Sequence, residues 1–263
     1  MPYRNPKPLT TFANRLAGRV TFVTGASSGI GAAAVRLFAA EGAIVVAAAR
    51  RLDRIESLAA ELRGEGRQVS AVTCDVRAED SVREALSYVV KQHGRLDCAF
   101  NNAGVGGGHR LLHELSTAKF DEVIQTNLRG PFLCMKYEIP AMLEAGGGAI
   151  VNTSSIGGLV GGSHNNDYGA SKWGLAGLVK CAALGYARQG IRINAIAPGP
   201  TRSEMFDRWI STEAAREAMA ESFPMNYIAE PDDMARAALF LLSDESRWTT
   251  GAILPCEGGA AAD

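Results

Sequence analysis

Apolar runs alternate with amphipathic stretches along most of this chain. Residues 19–24 form a short apolar run that predicts a strand, and residues 32–41 are alanine-rich and helical, closing at Gly42. Residues 43–49 are continuously apolar, as in a strand covered on both faces. The helical period returns over 51–62, a third strand is expected over 68–74, a third helix over 78–93 and a fourth strand over 96–100. This βαβαβαβ order implies a parallel sheet with helices on both faces. The second half continues it. A helix over 117–143 is interrupted by Gly130-Pro131, and strands are expected over 149–152, 191–197 and 252–254. Between them lie a long helix over 167–188, a partly apolar helical insert at about 202–224, and a helix over 231–242 with proline in its first turn. Residues 1–17, with three prolines, read as a loose arm before one domain spanning 18–263.

Composition narrows the function classes. The 263 residues carry a net charge of −1, with 47% hydrophobic and 21% charged residues. Those are ordinary values for a chain with a buried core, and no basic excess points to nucleic acid or an anionic membrane. No apolar run approaches the ~20 residues that span a bilayer, and the first nineteen residues hold no apolar leader segment. Five scattered cysteines with no C-x-x-C pair speak against zinc or a disulfide framework, so a reducing, cytoplasmic setting is expected.

Two stretches carry candidate chemistry. Gly25-Ala-Ser27-Ser28-Gly29-Ile30-Gly31 turns a strand into a helix, which gathers backbone N–H groups and a helix N-terminus where a pyrophosphate fits. In Tyr168-Gly-Ala-Ser-Lys172, tyrosine and lysine share one helical face, four residues apart. An ammonium there is expected to pull the tyrosine pKa down from ~10 toward a working range. After the second strand come Arg50 and Arg51, with no carboxylate until Asp53. A missing carboxylate and a present guanidinium favour NADP(H) over NAD(H), with Arg50 the expected contact. Pro131 lacks the N–H that would bond the Asn127 carbonyl, an orphan that can hold a water.

Thr24-Gly-Ala-Ser-Ser-Gly-Ile-Gly31, Asn101-Asn-Ala-Gly104, Asn127, Ser154-Ser155, Tyr168-x-x-x-Lys172 and Pro198-Gly199 together resemble the short-chain dehydrogenase/reductase family, in its short single-domain branch. The resemblance covers about residues 18–259 and implies a Rossmann-type, doubly wound, mostly seven-stranded parallel sheet. It implies that Tyr168 exchanges a proton with the substrate oxygen, that Lys172 tunes it and holds the nicotinamide ribose, and that Ser155, thirteen residues before Tyr168, clamps the same oxygen. It implies a water relay at the Asn127 carbonyl. On the cofactor side it implies Asp75 at the adenine amino group with Val76 beside it, and Asn101, Ala103 and Gly104 along the ribose. Pro198, Gly199 and Thr201 would line the nicotinamide, and Ser203 would reach the phosphates. The 251–255 segment resembles one used to build homotetramers.

Three segments are expected around the substrate: residues 105–110, residues 156–167 with His164, and the insert with Met205, Phe206 and Trp209 as an apolar lid. A small to medium, largely apolar ketone or secondary alcohol is the expected substrate. A 3-oxoacyl thioester reductase shares the same residues and would need a basic patch, for which Arg129 and Arg202 are available. A non-catalytic NADP-sensing protein would be expected to lose Ser155, Tyr168 or Lys172, and all are present. His109 and His113 have i, i+4 spacing but no third ligand nearby, so no metal is expected.

Overall fold

The computed structural model describes residues 14–210 and 212–262, without the side chains of Arg208 and Trp209. Seven parallel strands run in the order β3-β2-β1-β4-β5-β6-β7: β1 (Val20–Thr24), β2 (Ile44–Ala49), β3 (Val69–Thr73), β4 (Cys98–Asn101), β5 (Gly148–Thr153), β6 (Ile191–Pro198) and β7 (Ile253–Cys256). The register sets Val23 beside Ala47 on one side and Phe100 on the other. Strand order reverses between β1 and β4, so their carboxyl ends part and leave a crevice there. Pro255 is tolerated because β7 is an edge strand, where the missing N–H breaks no second ladder.

The strands lack polar alternation because each packs on both sides. In β2, Val45, Ala47 and Ala49 enter one core with α1 (Gly29–Ala40), α2 (Leu52–Gly64) and α9 (Pro231–Leu242). Val46 and Ala48 enter the other core with α3 (Glu79–His93), α5 (Gly130–Glu144) and α6 (Asn166–Tyr186). The insert forms α7 (Glu204–Trp209) and α8 (Glu213–Glu221), with a small core of Phe206, Ile210 and Ile228. No helix among the described residues is long and apolar enough to cross a membrane.

Two expectations change. The helix over 117–143 is α4 (Thr117–Ile124) and α5 joined by one wide π turn, Gln125–Arg129. Pro131 removes a rung from the i→i−4 ladder, and the helix crosses the gap with a longer bond from the Gly130 N–H to the Gln125 carbonyl. The loose arm does not extend to residue 17. Leu16 is fully buried in the first core, worth about 1.5–3 kcal/mol. Its N–H donates to the Glu41 carbonyl at 3.0 Å. Arg15 pairs with the buried Glu41 carboxylate at 3.0 Å. Residues 1–13 of the expected arm lie outside the described residues.

Candidate active site

The crevice at the strand reversal opens into a cleft of about 1140 Å³ that runs from the glycine-rich turn to Tyr168. Its floor depends on close backbone contact. A Cβ on Gly25 would stand 2.8 Å from the Ala103 Cα, and one on Gly31 only 2.2 Å from the Gly25 carbonyl oxygen. Gly25 also has φ +66°, which a side chain disfavours. Thr24 Oγ1 accepts from the N–H groups of Asn102 at 3.0 Å and Ala103 at 3.2 Å, tying the two loops together. The first turn of α1 carries no acidic residue, so its N-terminus faces the cleft uncompensated. A cradle that any side chain would fill, ending on bare N–H groups, fits the pyrophosphate of a dinucleotide.

Ser27, Ser28, Gly29, Ile30, Arg50, Arg51, Asp75, Val76, Ala103 and Gly104 all line this end of the cleft. Arg51 rather than Arg50 holds the central position. Its Nη2 donates to Ser27 Oγ at 2.8 Å and Ser28 Oγ at 3.0 Å, and its Nη1 to Glu204 Oε2 at 3.0 Å. Arg50 lines the same end of the cleft and is exposed. Asp75 is engaged by Arg77 at 2.6 Å, and this guanidinium holds its carboxyl below its usual range. Asn101 does not line the cleft. Its side chain turns beneath the floor, donating to Glu138 Oε2 at 3.0 Å and Asn152 Oδ1 at 3.2 Å, and Asn102 takes the place at the surface. Gly31 likewise supports the floor from behind rather than lining it.

At the other end, Ser155 follows β5, and Tyr168 and Lys172 rise one turn apart from the start of α6. Glycine again permits the approach: a Cβ on Gly158 would stand 2.8 Å from Ser154 Oγ and 3.0 Å from Lys172 Cβ. Lys172 Nζ donates to the Thr153 carbonyl at 2.8 Å and lies 5.4 Å from the Tyr168 ring centroid. Burial pushes the Lys172 ammonium down to about 8. Burial also pushes the Tyr168 hydroxyl above its ordinary value, with the Ser155 hydroxyl drawing it partly back. The expected lowering of Tyr168 by Lys172 is therefore overturned here. The ammonium sits over the ring, and desolvation of the phenolate is the larger effect. A tyrosine so placed keeps its proton at neutral pH.

Asn127 is fully buried and does not line the cleft. Its Oδ1 accepts from the Val105 N–H at 2.8 Å and its Nδ2 donates to the Val105 carbonyl at 2.9 Å, as a neighbouring strand would. It thereby fixes the wall after β4.

Asp167 makes the matching tie one turn along this wall, and the sequence reading missed it. Its carboxylate, with no exposed surface, accepts from the Gly108 N–H and the Tyr168 N–H, each at 2.8 Å. A Cβ on Gly107 would meet Asp167 Oδ1 at 2.7 Å and Tyr168 Cβ at 3.0 Å, so the glycine loop lies flat on the start of α6. In the sequence Asp167 looks like any acidic residue in a helical first turn. Only the fold brings Gly108 to it.

Pro198, Gly199, Thr201 and Ser203 line the cleft between its two ends, and Met205 and Phe206 cover it. Met219 and Phe223 from the same insert join them, as does His109 in the glycine loop. His164 is exposed, contacts Ser163 Oγ at 2.9 Å and does not line the cleft, so its expected place at the substrate is corrected. The Trp209 side chain lies outside the described residues.

Comparison with known proteins agrees with this geometry. Residues 25–261 match the family model described as "Enoyl-(Acyl carrier protein) reductase". The chain is 46% identical to the A-factor type gamma-butyrolactone 1'-reductase of Streptomyces virginiae, over 93% of this chain and 96% of that protein. The solved structure of levodione reductase superposes with a TM-score of 0.88 at 35% identity, covering 94% of this chain and 98% of that one. A short-chain type dehydrogenase/reductase from Mycobacterium marinum does so with a TM-score of 0.88 at 30% identity, covering 94% and 97%. A glycine-cradled dinucleotide cleft ending on a serine, a tyrosine and a lysine, together with these likenesses, places the chain in the short-chain dehydrogenase/reductase family, oxidoreductases that interconvert alcohols and carbonyls with a nicotinamide cofactor.

Proposed function

We propose that this protein is an NADP(H)-preferring reductase of a small to medium ketone carried on or in a ring, acting reversibly on the matching secondary alcohol. The observation that carries the reading is that Ser155, Tyr168 and Lys172 share one cleft with the glycine-rich turn and Arg51. The nicotinamide cofactor, when bound, supplies or accepts the hydride. Ser155 clamps the substrate oxygen. Tyr168, kept protonated by burial, gives its proton to that oxygen as charge develops there. Lys172, titrating at about 8, keeps most of its charge at neutral pH and holds it above the Tyr168 ring. Asn127 anchors the wall, and its carbonyl, which Pro131 cannot bond, is the relay post toward solvent.

Support for NADP(H) comes from Arg51 beside Ser27 and Ser28, the donor set of a phosphate group. A ring-bearing substrate is supported by the names of the butyrolactone and levodione relatives, and by a wall of small residues opposite an apolar lid. A thioester reductase is the second reading, favoured by the carrier-protein wording of the family model. Against it, Arg129 lies 4.0 Å from Glu79 and Arg202 pairs with Glu230 at 3.1 Å, exposed pairs that a carrier would have to displace. A cytoplasmic homotetramer completes the proposal. Five free thiols suit a reducing compartment, and Trp248 at 99% and Leu184 at 84% exposure offer apolar contact area.

The test is loss of 340 nm absorbance with NADPH and NADH in parallel, against cyclic ketones, diketones, acyl lactones and 3-oxoacyl thioesters. Ketone-dependent NADPH oxidation that disappears in Tyr168→Phe is expected. Turnover confined to thioesters selects the second reading. Cofactor binding with no turnover across the panel would favour a sensing protein, and sedimentation velocity checks the tetramer.

A further inference from the structure

The lid helix α7 opens on Glu204, and this carboxylate reaches back to the adenosine end of the cleft. Its Oε2 accepts from Arg51 Nη1 at 3.0 Å, and its Oε1 is paired with Arg54 Nη1. The remaining Arg51 nitrogens are held by the glycine-rich turn: Nε donates to Ser27 Oγ at 3.2 Å, and Nη2 to Ser27 and Ser28. Both guanidinium groups draw the Glu204 carboxyl below its usual range. One carboxylate thus sits before two arginines from the stretch following β2, with the Arg51 guanidinium anchored on two serine hydroxyls. That is the donor set that a phosphate monoester would use.

We propose that Glu204 is an internal stand-in for the cofactor's 2′-phosphate: it latches the lid helix to Arg51 and Arg54, gives up those arginines to a 2′-phosphate, and thereby sets how strongly the enzyme prefers NADP(H). The inference rests on the NADP(H) reading above. Arg51 Nη1 faces one anion at a time, and a carboxylate left beside a phosphate would repel it. The phosphate carries close to two charges and three acceptor oxygens against one charge and two oxygens, so it wins the exchange. Glu204 is the first residue of α7, and Ser203 before it packs on the glycine turn, where a Cβ on Gly29 would stand 3.1 Å from Ser203 Cβ. Moving Glu204 therefore loosens the hinge of the lid. A cofactor lacking the 2′-phosphate leaves the latch in place. Because the latched fraction is unavailable to phosphate, Glu204 weakens the apparent affinity for it.

Calorimetric titration of the full chain with 2′,5′-ADP and with 5′-ADP tests this, comparing wild type with Glu204→Gln. The side chain is partly exposed, so the variant is expected to fold, which circular dichroism checks. Glu204→Gln is expected to bind 2′,5′-ADP about fivefold more tightly, the scale of solvent-accessible ion pairs, with 5′-ADP unchanged. In wild type, hydrogen exchange at residues 204–210 is expected to rise with 2′,5′-ADP and not with 5′-ADP. If both proteins prefer 2′,5′-ADP to the same degree, the role of Glu204 is overturned while the NADP(H) reading stands. If neither protein distinguishes the two nucleotides, both fall together.

Discussion

The two ends of the cleft are built on opposite physical terms. At the chemical end, Lys172, Asn127 and Asp167 are buried and bond backbone groups, and Asp167 holds the Tyr168 N–H. At the adenosine end, Arg51, Arg54 and Glu204 are each more than 40% exposed and hold one another by charge. The buried end has one arrangement, since a polar group displaced there loses its partner without gaining water. The exposed end can exchange partners at small cost. Groups that need a fixed geometry sit on the first, and groups that can change partner sit on the second.

Breaking the buried end should give the larger effects. Tyr168→Phe removes the proton donor and little volume, so kcat is expected to fall by ~10³-fold, within the range for general acids, with NADPH affinity unchanged by titration. Comparable weakening of both quantities would show that Tyr168 acts through binding instead.

Beneath the floor, Glu138 is fully buried and its carboxyl is pushed up to about 8 by desolvation. Among the described residues Glu138 Oε1 and Asn101 Oδ1 have no hydrogen-bond partner, and a proton on Glu138 supplies a donor where two acceptors otherwise meet none. The sign follows from proton counts. Between the ordinary carboxyl value of 4.5 and about 8, the folded state binds more protons than the unfolded, so this group's contribution to stability falls as pH rises and is flat above that window. Glu138→Gln is expected to be more stable than wild type at pH ~9 by on the order of a few kcal/mol, with the gap closing toward pH ~5. Thermal melts at the two pH values check it, and an equal gap at both would rule out a buried titrating acid.

Asp167→Ala leaves the Gly108 and Tyr168 N–H groups without their acceptor, at a cost of about 2 kcal/mol in stability. Because the same carboxylate positions the Tyr168 backbone, kcat is expected to fall by ~10–100-fold. Urea melts and steady-state kinetics separate the two effects, and a stable variant with unchanged kcat would remove Asp167 from the positioning of Tyr168.

The exposed end should respond least. Arg51→Ala is expected to weaken NADPH binding about tenfold and leave NADH binding alone, whereas Arg50→Ala weakens it by no more than about threefold. The reverse ranking would return the contact to Arg50.

Much of this molecule was legible in its sequence. Strands packed on both faces lose their polar alternation, so 43–49 announced a central strand of a parallel sheet, and the structure has β2 at Ile44–Ala49. The Tyr168–Lys172 spacing fixed a shared helical face, and the glycines fixed a cradle, because both are local consequences of backbone geometry. Pro131 announced a break, although not that a π turn would absorb it. What stayed hidden depends on residues far apart in the chain. Asp167 needed Gly108, Asn101 needed Glu138, and Arg51 needed Glu204, 153 residues away. The direction of the Tyr168 shift was hidden for the same reason. The sequence supplies a neighbouring ammonium, but desolvation, the largest cause of the shift, is a property of everything packed around the ring. The sequence by itself determined the sheet, the cradle and the shared helical face of Tyr168 and Lys172, because these follow from local periodicity and spacing. Tertiary structure alone decided which arginine pairs with the lid, which carboxylate ties the glycine loop to α6 and which way each group titrates, because burial and long-range pairing exist only once the chain has folded.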